Sequence, residues 1–98
     1  MKKQLPDTVT VDGYIFARHE DSDGQYMKTN AWLHCTTPVE LYVQPDPREE
    51  GGWGFEIIAL NGDQYGGNSF NHPPIKTMRW AMREALRCLK LLNGTIQD

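Results

Sequence analysis

Ninety-eight residues, 39% hydrophobic and 23% charged, have the make-up of a folded chain and the length for one core, so neither wholesale disorder nor a second domain is expected. No apolar run approaches the ~20 residues that cross a bilayer, and Met1-Lys2-Lys3 is followed by Gln4-Leu5-Pro6-Asp7 rather than an apolar stretch; the expectation is a cytoplasmic protein without a membrane partner. Cys35 and Cys88 lack CxxC spacing, and no His or Cys pair has convincing ligand spacing, so ordinary buried thiols, no metal and no other cofactor are expected.

Residues 1–7 read as a loose tail. Thr8 to Arg18 is rich in β-branched and aromatic residues, and its Asp12-Gly13 fits either a tight hairpin or a bulge. His19 to Gly24 is polar and acidic. From Tyr26 to Cys35 the residues alternate, with Met27, Ala31, Leu33 and Cys35 on one face and Lys28, Asn30, Trp32 and His34 on the other. After a break at Thr36-Thr37-Pro38, Val39, Leu41 and Val43 alternate against Glu40, Tyr42 and Gln44. Pro45 and Pro47 then open an acidic loop that ends at Gly51-Gly52. Trp53 to Leu60 is the most apolar strand, expected to be central, with Glu56 pointing away from the helix. Asn61-Gly62 signals a hairpin into a glycine-weakened return strand, Gln64 to Phe70.

The last long segment, Pro74 to Leu92, reads as one amphipathic helix. Ile75, Met78, Ala81, Met82, Ala85, Leu86, Cys88, Leu89 and Leu92 share a broad apolar arc. Lys76, Arg79, Arg83, Arg87 and Lys90 fall on a narrow arc opposite, with Trp80 and Leu91 at its flank. Asn71-His72-Pro73-Pro74 marks the start and Asn93-Gly94 the stop, since glycine takes the left-handed conformation that closes a helix.

The sum is an α+β domain: an antiparallel sheet of four or five short strands with one C-terminal amphipathic helix packed on one face. Phe16, Ala31, Leu33, Leu41, Val43, Phe55 and Ile57 would form the core with the helix's apolar arc. The opposite sheet face would show Trp32 and Tyr42, with Ile58 or Tyr14. The order of sheet then helix, with Trp53-Gly-Phe-Glu-Ile, Phe70 and an alanine-bearing helix, is similar in outline to sheet-reading DNA-binding domains of plant transcription factors and to the arm-binding domain of phage integrases. That likeness covers less than half the chain. Those domains use a basic sheet, whereas this one offers Glu40, Glu56 and acidic loops.

Catalysis has little to build on. Ser22 and Ser69 lack a nucleophile elbow, Cys35 and its neighbour His34 point to opposite strand faces, and the glycines match no phosphate loop. The basic helix is better material. Its five cations against Glu84 make +4 within a chain of net −3, which leaves −7 elsewhere. Like charges on one line repel, and tryptophan beside arginine is a favoured hot-spot composition. The expectation is a non-catalytic module whose partner is a protein, bound through Lys76, Arg79, Trp80, Arg83, Arg87 and Lys90. A phage-type or mobile-element inhibitor that occludes its target would have this make-up. Alternatives are nucleic acid held by the same stripe with Trp80 stacked on a base, a homodimer joining the helix to acidic loops, or a stripe that is only a solvated face. Trp32 and Tyr42, with Tyr26, form a second candidate surface.

Overall fold

Asp12 and Gly13 both take positive φ, 51° and 83°, so the first hairpin closes through a two-residue turn of the type that matches strand twist. This settles the choice left open by the sequence. Thr8 to Arg18 becomes two strands, β1 (Thr8–Val11) and β2 (Tyr14–Arg18). The structure, a computed structural model, describes residues 6–19, 25–33, 37–48, 50–67 and 74–94. Four more strands follow, β3 (Tyr26–Leu33), β4 (Thr37–Pro45), β5 (Trp53–Ala59) and β6 (Gln64–Gly67), then one helix, α1 (Met78–Asn93). They form one antiparallel sheet in chain order, β1-β2-β3-β4-β5-β6, so the class is α+β, and the described residues hold six strands rather than four or five. Trp53 begins β5, an interior strand that pairs β4 on one side and β6 on the other. The turn into β6 is a three-residue loop: the Gly62 amide donates to the Ala59 carbonyl, Ala59 donates to the Asp63 carbonyl, and Gly62 sits at φ 96°.

The register fixes which side chains meet the helix. Val9, Val11, Phe16, Val39, Leu41, Val43, Phe55, Ile57 and Ala59 all face it and are buried. Glu56 pairs with Tyr42 on the opposite, open face, as its charge requires. In β3 the strict alternation fails. The register shifts between Lys28 and Ala31, and the extra residue turns the strand over. Tyr26 and Lys28 therefore share the helix side with Ala31, while Met27 goes to the open face. Tyr26 is fully buried and its hydroxyl donates to the Pro6 carbonyl at 2.6 Å, so it is a core residue and not part of an exposed aromatic surface. Asp7 is fastened beside it, to the Arg18 guanidinium at 2.9 Å.

The helix begins later than its prolines suggest. Ile75 exchanges two backbone hydrogen bonds with Trp53, at 2.7 and 2.8 Å, and extends the chain as a one-residue bridge at the sheet edge. Thr77 then caps the helix: its side chain accepts from the Trp80 amide, which the first turn would otherwise leave unpartnered. Gly94 closes it at φ 73°, as the sequence indicates. Ala81, Met82, Ala85 and Leu86 are buried against β4 and β5, with Met78, Cys88, Leu89 and Leu92 packed around them. No buried polar or charged residue occurs among the described residues, and no helix there is long and apolar enough to cross a membrane. His34, Cys35, Phe70, the cluster Glu20 to Asp23, the helix-entry residues 71–73 and the side chain of Leu33 lie outside the described residues.

Two packing predictions follow from the helix contact. Leu86→Ala should lower stability in urea melts by about 2–5 kcal/mol, and Arg83→Ala by less than ~0.5 kcal/mol. A Cβ on Gly66 would stand 2.8 Å from the Cys88 sulfur. Gly66→Ala should thus cost about 1–3 kcal/mol through overpacking, and the double variant with Cys88→Ala should cost less than the two single effects added.

Candidate functional site

Burial of Ala81, Met82, Ala85 and Leu86 fixes the rotation of the helix, and with it the face turned to solvent. Lys76, Arg79, Trp80, Arg83 and Arg87 are all exposed, Trp80 to 51%. Lys90 is half-buried. The stripe is therefore not one uniform line. At one flank it turns back onto the sheet: the Arg79 guanidinium donates to the Thr10 carbonyl of the edge strand at 3.1 Å. The Lys90 ammonium lies 5.9 Å from the centroid of the Tyr14 ring. Lys76, Arg83 and Arg87 face outward. Trp80, Arg83, Arg87 and Leu91 follow one another at three- and four-residue steps, which stacks them along a single helix face. The first helical turn carries no acidic residue. Lys76 and Arg79 thus stand at the end where the helix dipole is already positive, a placement that costs stability when no anion is nearby.

The open face of the sheet is different in kind. The Gln25 amide donates to the Gln44 side-chain oxygen at 2.8 Å, and Gln44 donates to the Glu56 carboxylate at 2.7 Å. The Tyr42 hydroxyl donates to Glu40 at 3.1 Å, and burial with that bond holds it above the ordinary tyrosine pKa. Tyr42 is half-buried between Met27 and Glu56 in the middle of the sheet, whereas Trp32 is 50% exposed at the far end of β3, opposite Pro38. The two expected members of a second surface are separate features. Ile15, exposed to 61%, also lies on this face, across from Thr10.

One arrangement escaped sequence reasoning. Tyr14, paired with buried Val11, is on the helix side and not on the open face. The bulge in β3 brings Lys28 to the same side, its ammonium 5.3 Å from the Tyr14 centroid. Only the bulge makes Tyr14 and Lys28 neighbours, and no residue pattern announced it.

The Cys88 thiol is pushed above its ordinary pKa by burial first and by Glu84 second, the reverse of an activated nucleophile. No three His, Cys, Asp or Glu side chains there converge as metal ligands. No family model, curated protein or solved structure matches this chain.

The aromatic assignments predict separable effects. Tyr26→Ala should cost about 3–5 kcal/mol in urea melts, and Trp80→Ala less than ~1 kcal/mol. Burial holds the Tyr26 hydroxyl above the ordinary value of 10.0, so the folded chain keeps this proton more tightly than the unfolded one. That contribution is complete below pH 10 and fades as pH rises through the folded-state value. Tyr26→Phe should flatten the alkaline fall in stability, measured as denaturation midpoints from neutral pH upward.

Proposed function

We propose that this protein is a non-catalytic binding module whose partner is a protein presenting an acidic surface. The contact is made by the outward helix face, Lys76, Trp80, Arg83 and Arg87. One observation carries the reading: an indole half open to water stands in line with exposed arginines, at the positive end of a helix whose first turn holds no acid. A large aromatic with flanking arginines is the composition that dominates interface energetics. In this reading the indole enters an apolar pocket of the partner while the cations pair with carboxylates around its rim. Binding of this kind acts by covering what lies beneath, which is all that an inhibitor requires.

Nucleic acid is the competing partner for a cationic helix, and the rest of the molecule opposes it. The chain outside the segment from Lys76 to Lys90 carries −7, and the open sheet face holds Glu40 and Glu56. A polyanion extending past the helix would meet like charge.

The test is capture from cell extract with and without nuclease, followed by a salt series on the captured complex. For a protein partner, Trp80→Ala should weaken binding about thirtyfold or more. Raising salt from about 50 to 200 mM should act chiefly on the association rate. Phosphate contacts through four cations would instead lose about a hundredfold in affinity over that range. Tight binding to random single-stranded DNA or RNA that collapses in this way would overturn the reading. So would capture that is unaffected by Trp80→Ala and by Arg83→Glu.

A further inference from the structure

The two charged faces of this molecule are complementary to each other. The outer side of the helix presents Lys76, Trp80 and Arg83, all exposed. The open side of the sheet presents Glu40 and Glu56 around Tyr42. The described strands hold two cations, Arg18 and Lys28, and both are on the helix side. Arg18 pairs with buried Tyr26, and the bulge in β3 places Lys28 there. No strand cation therefore offsets the two carboxylates on the open face. Granted that the outward helix face binds an acidic protein surface, we infer that this surface is the open sheet face of a second copy of the same chain.

Spacing agrees as well as charge. Trp80 and Arg83 are one helix step apart, about 5–6 Å between Cβ atoms. Tyr42 and Glu56 stand directly opposite each other on β4 and β5, about 4.5–5.5 Å apart. An indole resting on Tyr42 and its other neighbour, Met27, thus brings the Arg83 guanidinium within reach of Glu56. Glu56 accepts from Gln44, and Glu40 from Tyr42. A carboxylate has about four acceptor positions, so each keeps room for a cation. Like faces do not pair. Two open faces would set carboxylates against carboxylates, and two outward helices would set cations against cations. The two complementary faces lie on opposite sides of one sheet, so the contact cannot close about a two-fold axis. It is head-to-tail and grows by adding copies. The helix of 16 residues is about 24 Å long and about 10 Å wide. Its footprint is well below the ~1,200 Å² of a standard interface, so the association is weak.

The experiment is sedimentation equilibrium on the full chain from about 0.01 to 2 mM, the range in which a weak contact shows. The weight-average mass should climb past twice the chain's 11.2 kDa with no plateau at the dimer. Raising salt from about 50 to 200 mM should reduce the climb by screening exposed charges. Neither arm uses a variant, so neither hangs on whether a substituted chain folds. Arg83→Glu and Glu56→Lys should each weaken association at least about tenfold. The double variant, Arg83→Glu with Glu56→Lys, should associate again, because the facing pair has exchanged sign. Helix-to-helix or sheet-to-sheet pairing would leave that double variant with like charges opposed and unrescued. A mass of 11.2 kDa throughout, a plateau at the dimer, single variants that associate as the parent does, or a double variant that stays monomeric would each overturn the inference. Capture from cell extract by the Glu56→Lys chain, whose outward face is unaltered, tests that face by itself. With a monomeric parent, capture that is lost on Trp80→Ala sinks self-association alone, and absence of capture sinks the outward face as well.

Discussion

Ala81 and Ala85, both fully buried, let the helix backbone settle directly onto β4 and β5, and the rest of the molecule is arranged around that contact. A sheet of six strands offers more inner surface than one helix can cover. The helix is therefore laid over the most apolar pair of strands, where Leu41, Val43, Phe55 and Ile57 meet Met82 and Leu86. Small residues at the crossing give close approach, and larger ones on either side fill the widening gap. On the β6 side, Gly66 removes the side chain that would strike Cys88. On the β2–β3 side no such relief is built in, and the gap stays open as a pocket beneath Leu86, Leu89 and Lys90.

The helix was the most legible part of the sequence, because a 3.6-residue period over sixteen residues leaves little ambiguity. Its apolar arc is the buried arc. Its start was misread, since Pro74 also suits an extended segment, and the backbone exchange between Ile75 and Trp53 decides the matter through a contact far away in sequence. Strands β4 and β5 were legible from alternation alone. β3 was not, because a bulge inverts every face beyond it. Tyr26 moved from presumed surface to core for that reason, and Lys28 moved to the helix side. The linear charge pattern likewise marked the cationic face of the helix, but could not say that Arg79 would bend to the Thr10 carbonyl, which depends on where β1 ends up.

Charge separation follows the two layers. The chain outside the helix is acidic, and its charges on the open sheet face are held in a polar lattice running Gln25 to Gln44 to Glu56 and Tyr42 to Glu40. Such side chains keep the uncovered face from presenting a continuous apolar patch, although Ile15 remains exposed there. The Asp46–Arg48 pair, joined at 2.8 Å, neutralises part of the loop between β4 and β5 locally. The positive charge is left concentrated on the outer side of the helix. The cationic face of the helix and the Glu40 and Glu56 carboxylates thus lie on opposite sides of the sheet, which helps to orient any charged macromolecule that approaches.

Lys28 shows how the off-centre helix and the bulge act together. A lysine on the inner face of a sheet is a costly residue if its ammonium is buried among apolar groups. Here its stem can lie along the pocket wall while the charged head stands near Tyr14, at the edge the helix does not reach. A cover that extended further over β2 and β3 would bury that head, and the bulge would then be a liability. With the helix centred on β4 and β5, the same bulge places a cation where Lys90 arrives from the other layer. The two lysines come from strand and helix segments about sixty residues apart, and only the packing of Met82 and Leu86 brings them to one ring. Rotation of the helix by one residue, about 100°, would carry Lys90 away from the sheet and Trp80 out of its present alignment with the solvent. The pocket and the outward face are thus set by a single rotational choice, made in the core.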